Sequence, residues 1–189
     1  MLADRLTTAR IAVFAELIGL GGTRVGRTAL MKMCYFLQIL KDVPLGYEFS
    51  LYSYGPFDSE VLGDLRTAED LSAIDSSVVS FPGGYQYILS TSSSAAQVKR
   101  EAKQFLSQYI GCIKWVADTF ANRSASELEL LSTIVYVDRN VDVKTFESLR
   151  EKVKLIKPHF SLDEISKKIE WLEQKELLTL HDPSQMSQV

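Results

Sequence analysis

The chain has 189 residues, 46% of them hydrophobic and 24% charged, with a formal net charge of −3. That length holds one substantial domain or two small ones, and the apolar content is too high for a disordered chain. No apolar run approaches the ~20 residues of a membrane span, and Met1-Leu2-Ala3-Asp4-Arg5 is charged where a signal peptide has its apolar stretch.

The two cysteines, Cys34 and Cys112, lie far apart in apolar helical context. Free thiols in a reduced, cytoplasmic protein are expected rather than a disulfide. Charge is unevenly placed. Residues 1–45 carry six basic and three acidic side chains, whereas residues 46–75 carry one basic and seven acidic.

Apolar residues Leu6, Ile11, Phe14, Leu17, Ile18 and Leu20 predict a first helix over 4–20, stopped by Gly21-Gly22. A second helix follows, with Thr28 as its expected N-cap and Leu30, Met33, Cys34, Leu37 and Leu40 on its buried stripe; Asp42-Val43-Pro44 ends it. The stretch YEFSLYSYGPFDSEVLGDL, residues 47–65, then changes period. Tyr47, Phe49 and Leu51 alternate with polar neighbours as in a strand. Gly55 and Pro56 form a corner, and Asp58 is placed to cap a third helix with Val61, Leu62, Leu65, Ala68 and Leu71 inward. SSVVSFPGGYQYILS predicts a β-hairpin around Pro82-Gly83-Gly84.

TSSSAAQVKR, residues 91–100, reads as a linker running into a long helix expected over 94–120, and Ser124 or Ser126 is expected to cap the next. A helix over 144–156, a break at Pro158, and a last helix with a Ser161–Glu164 capping box complete the chain, with Leu177-Leu178-Thr179-Leu180 as a short final strand. The expected class is therefore α+β, mainly helical, with winged-helix-like elements, a small antiparallel sheet and a long connecting helix. The expected division is a winged-helix-like half over 1–92, a helical half over 93–180 with a second such unit, and a loose tail over 181–189.

At GRTALMKMCYFLQILKDVPLGYEFSLYSYGPFDSEVLGDL, residues 26–65, the sequence resembles the YwgA-like family. A helix ending in Tyr-Phe-Leu-Gln precedes a strand, a Tyr-Gly-Pro-aromatic corner and an acid-capped helix. The chain is more distantly similar to the Panacea, or SocA-like, antitoxin domain, from whose pattern it departs around the corner and beyond it. Gly83-Gly84-Tyr85 and the stretch 155–161 extend the resemblance to about two-thirds of the chain. It implies an antitoxin-like domain that binds protein partners and performs no catalysis.

The corner has two readings, which can coexist. Gly55, Pro56 and Asp58 turn the chain, with Tyr54 and Phe57 packed beneath the hairpin beside Tyr85 or Tyr87. Alternatively Tyr52, Tyr54 and Phe57 form an exposed patch for a partner, joined by Glu60 and Asp64 of the acidic helix. That helix also holds Asp58, Glu69 and Asp70 against a single Arg66, which would repel phosphates. Its charge suits a basic protein, such as a toxin, better than nucleic acid. A basic face built from Arg5, Arg10, Arg24, Arg27 and Lys32 is the remaining nucleic-acid site, with Arg24, Arg27 and Lys32 as its contacts, although solvated helix surface explains it as well.

Catalytic patterns are weak. His159 and His181 have no spaced metal-ligating companions, Cys34 falls in an apolar stripe, and Gly21–Gly26 lacks the ending of a phosphate loop. The expectation is a non-enzymatic interaction module without cofactor or metal, either antitoxin-like or a phage- or defence-associated regulator. A winged-helix DNA-binding regulator is the alternative.

Overall fold

The computed structural model describes residues 4–22, 25–81, 84–143 and 145–180. Among them are eight helices and two small antiparallel two-stranded sheets, so the protein is mainly helical α+β. The chain falls into two compact units, Met1–Ser50 with Phe57–Ala125, and Leu51–Pro56 with Ser126–Val189.

The first unit is built on α1 (Arg5–Gly21), packed by α2 (Arg27–Lys41), α3 (Ser59–Asp70), α4 (Ala95–Glu101), α5 (Lys103–Phe120) and one strand of the hairpin. Residues 9–15 of α1 are buried all round, as befits a central helix. Asp4 caps its start by accepting from the Thr7 amide at 2.7 Å, and Gly22 ends it with φ 59°. Phe14, Phe36, Leu37 and Phe120 form the core, with Phe36 and Phe120 stacked at 4.0 Å. The hairpin pairs β3 (Ile74–Phe81) with β4 (Gly84–Thr91) in a register running from Ile74 opposite Thr91 to Phe81 opposite Gly84. Its expected turn at Pro82-Gly83 lies outside the described residues.

Three expectations for this unit change. The second helix starts at Arg27 with Gly26, not Thr28, at the N-cap, and no side chain caps it. Glycine is required at Gly26 because a Cβ there would lie 2.5 Å from the Tyr87 carbonyl oxygen. The long helix is two helices divided at Ala102, whose ψ of 15° interrupts the spiral. The strand before the corner pairs only over β1 (Ser50–Tyr52), with β2 (Gly55–Phe57) as its partner.

Burial nonetheless alternates along the whole segment from Val43 to Tyr52. Side chains take the place of a neighbouring strand there. Gln38 donates to the Tyr47 carbonyl at 2.7 Å and accepts from its amide at 2.9 Å, while Arg10 donates to the carbonyls of Leu45 and Gly46 at 2.6 and 3.0 Å.

The second unit holds the corner together with α6 (Ala125–Asn140), α7 (Phe146–Ile156) and α8 (Leu162–Glu173). Thr145 with Ser148, and Ser161 with Glu164, close capping boxes on α7 and α8. Leu128, Leu131, Ile134, Val135, Leu149, Val153, Ile165, Ile169 and Leu172 are buried. The expected strand at 177–180 does not form. Instead α6 side chains hold that segment: Asp138 accepts from the Thr179 amide at 3.0 Å, and Arg139 donates to the Leu177 carbonyl at 3.2 Å. The tail from 181 lies outside the described residues.

Candidate functional site

The corner is fixed from beneath by its own unit. Gly55 adopts φ +89°, which side chains rarely tolerate, and a Cβ there would lie 2.9 Å from the Ser132 hydroxyl oxygen and 3.3 Å from the Glu129 carbonyl oxygen. That wall on α6 is itself ordered, because Ser132 and Thr133 donate to the Glu129 carbonyl at 3.1 and 2.7 Å. From the end of α7, Lys157 sends its amine under the turn with only 2% of the residue exposed. The amine donates to the carbonyls of Tyr52, at 3.5 Å, and Ser53. It also lies 2.8 Å from Glu129 Oε1, a buried ion pair that lacks the alignment of a hydrogen bond. His159, more than half exposed, places Nε2 3.4 Å from the same oxygen.

With the backbone held inward, the tyrosines point out. Tyr52 is 61% exposed and Tyr54 75%. The corner therefore does not pack Tyr54 beneath the hairpin, because its buried side consists of Gly55 and Pro56. Phe57, half-buried, belongs to the first unit. Leu155 and Leu162 are two further exposed apolar side chains of the second unit.

The chain matches no protein-family model and no curated protein sequence.

The acidic helix α3 turns out to be largely engaged within the first unit. Asp58 caps it, accepting from the Glu60 amide at 2.8 Å, and also accepts from the Glu48 amide at 2.6 Å. Glu60, half exposed, pairs with Arg10 at 2.7 Å. Asp64 is only 6% exposed and cannot serve as a surface contact. It accepts from the Tyr47 hydroxyl at 2.8 Å and from Arg10 at 3.3 Å. Glu69 accepts from Ser76 and pairs with Arg27 at 3.6 Å.

These burials shift the groups. Burial pushes the Asp64 carboxyl above its ordinary value of 3.8, against the pull of Tyr47 and Arg10. It also pushes up the Tyr47 hydroxyl and the Cys34 thiol. Burial works against charge on Arg10, but the bond from Glu60 and the charge of Asp64 hold its guanidinium above the ordinary value. Glu60 shares that guanidinium, so the pair favours the cation more than the Asp64 anion. Arg10 lies four residues after Leu6 and four before Phe14, a charge inside an apolar stripe. That spacing is the sequence signal for a buried ion pair, and the charge count alone hides it.

The expected basic face does not form among the described residues. Arg10 and Lys32 are buried, and Arg24 lies outside the described residues. Arg27 lies over the Tyr87 ring at 3.7 Å. Cys34 is buried, Cys112 half-buried, and both are free. No group of His, Cys, Asp and Glu among the described residues could hold a metal, and no helix among them is long and apolar enough to cross a membrane.

Proposed function

We propose that the protein is a non-enzymatic interaction module that binds a protein partner through Tyr52 and Tyr54 at the corner. The observation that carries this reading is the contrast between a pinned backbone and outward tyrosines, 61% and 75% exposed. Tyrosine offers a broad apolar face and a hydrogen-bonding tip. On a backbone already held by Gly55 and Lys157, little freedom remains to be lost on binding. Glu60 stands as a half-exposed acid on α3, and Asp64 has no part in the contact. The distant resemblance of the stretch 26–65 to the antitoxin-like domain, from whose pattern the chain departs around the corner, is what suggests an antitoxin-like or defence-associated regulator. Two free cysteines accord with a reducing, cytoplasmic setting.

The test is affinity purification of the tagged chain from native lysate, with and without nuclease, beside a Tyr52→Ala/Tyr54→Ala variant. A stoichiometric protein that survives nuclease and is lost with the double variant is the expected result. The same partner held equally well by a folded double variant removes the corner from the interface. Nucleic acid alone, released by salt, would favour a DNA-binding regulator instead.

A further inference from the structure

A second candidate site lies wholly within the first unit, against the first residues of β4. Between the start of α2, the strand β4 and the segment after α5 is an open cleft of about 760 Å3, a size within the range of small-ligand sites. Its described lining includes two cations, Arg27 and Arg123, and no carboxylate. Gly26, Arg27 and Thr28, the first turn of α2, form one wall. No side chain caps that turn, and the positive end of the helix lies beside the cleft. Gly26 lets the wall approach the β4 backbone closely, since a Cβ would meet the Tyr87 carbonyl oxygen.

The adjoining wall, from β4, is aromatic. Tyr85 and Tyr87 meet edge to face at 5.9 Å, and Tyr85 is 65% exposed, leaving ring surface open to stacking. Arg27 is stacked over Tyr87 and only loosely paired with Glu69 at 3.6 Å; its Nε is buried without a hydrogen-bond partner. Arg123, which donates to the Thr119 carbonyl at 3.4 Å, also lines the cleft.

We propose that this cleft binds a nucleotide, with the phosphate at the first turn of α2 between Arg27 and Arg123 and the base on Tyr85. Helix amides and guanidinium groups are the donors that phosphate oxygens need, and a tyrosine ring stacks on any base. The same chemistry is offered by a free mononucleotide and by a nucleotide within a single strand. Calorimetric titration of the full chain at low salt with AMP, adenosine, inorganic phosphate and a short single-stranded oligonucleotide distinguishes them.

The expected result is one-to-one binding of AMP. Adenosine and inorganic phosphate should each bind about tenfold more weakly, and Arg123→Gln should lose about tenfold in affinity. Tyr85→Ala, at an exposed position where folding is safe, should lose a similar factor for AMP and leave inorganic phosphate unchanged. An oligonucleotide that binds more tightly than AMP, with affinity falling as salt rises, supports the site and assigns the nucleotide to a single strand. No heat with any phosphate-bearing probe at millimolar concentration overturns the proposal. Binding that both variants leave unchanged also overturns it, as does equal affinity for AMP and inorganic phosphate.

Discussion

Lys157 illustrates how single residues set this structure. A buried amine is costly unless paired, and here Glu129 and two backbone carbonyls of the turn answer it. Removing the amine leaves the buried Glu129 with only the half-exposed His159 beside it. Lys157→Met should therefore destabilise the corner by about 3 kcal/mol, seen as roughly 100-fold faster amide exchange in α6, and adding Glu129→Gln should recover part of the loss. Unchanged exchange in the single variant would show that the pair does not hold the turn. Gly55→Ala meets both a positive φ and the Ser132 hydroxyl, and should cost about 1–3 kcal/mol by the same measurement. Asp64 contributes to the pH dependence of stability in the opposite sense to most acids. Its folded-state pKa is raised above 3.8, so the folded chain takes up that proton before the unfolded one. Its contribution to stability falls as pH rises from about the ordinary value through the raised one. Urea melts across that acid range should show stability rising more with pH in Asp64→Asn than in the native chain.

At the scale of elements, backbone groups that lack a ladder are satisfied by side chains. Gln38 closes both the amide and the carbonyl of Tyr47, and Gln38→Ala should leave these part-buried groups unpaired at about 1–3 kcal/mol, with faster exchange of the Tyr47 amide. The capping box on α8 is the clearest local device. Its Glu164 carboxyl is held below its ordinary value of 4.5 by the Ser161 backbone amide and then by the Ser161 hydroxyl. The stability it supplies is present above pH 4.5 and is lost as pH falls through the lowered value. Glu164→Gln should remove that acid-side loss from the melting curves. Elements with local chemistry were legible in the sequence: the Asp58 cap, the Ser161–Glu164 box, the stop at Gly22 and the hairpin all follow from neighbouring residues. The break at Ala102 was not legible, because alanine carries no breaking signal. The final strand failed because Asp138 and Arg139, distant in sequence, take its backbone bonds. Strand-like alternation over 43–52 was legible, but alternation reports which side is buried and says nothing about what pairs with the backbone.

For the whole molecule, the acidic block at 46–75 looked in sequence like a surface charge. Folding places Asp64 inside and gives Asp58, Glu60 and Glu69 partners in the same unit, so net charge by region overstates the field that a partner would meet. The corner tyrosines were legible as candidates, yet their exposure depends on Lys157 and α6, about 100 and 80 residues further along, and no local pattern encodes that. Facing outward at the corner is an aromatic pair on a turn held from beneath. The most direct test is a photo-crosslinking residue at position 54, compared with one at the exposed Arg66 of α3, in native lysate after nuclease treatment. The expected result is one predominant protein adduct at position 54, abolished by Tyr52→Ala and absent at position 66. No adduct at 54, or the same adducts at both positions, would contradict a partner bound at the corner.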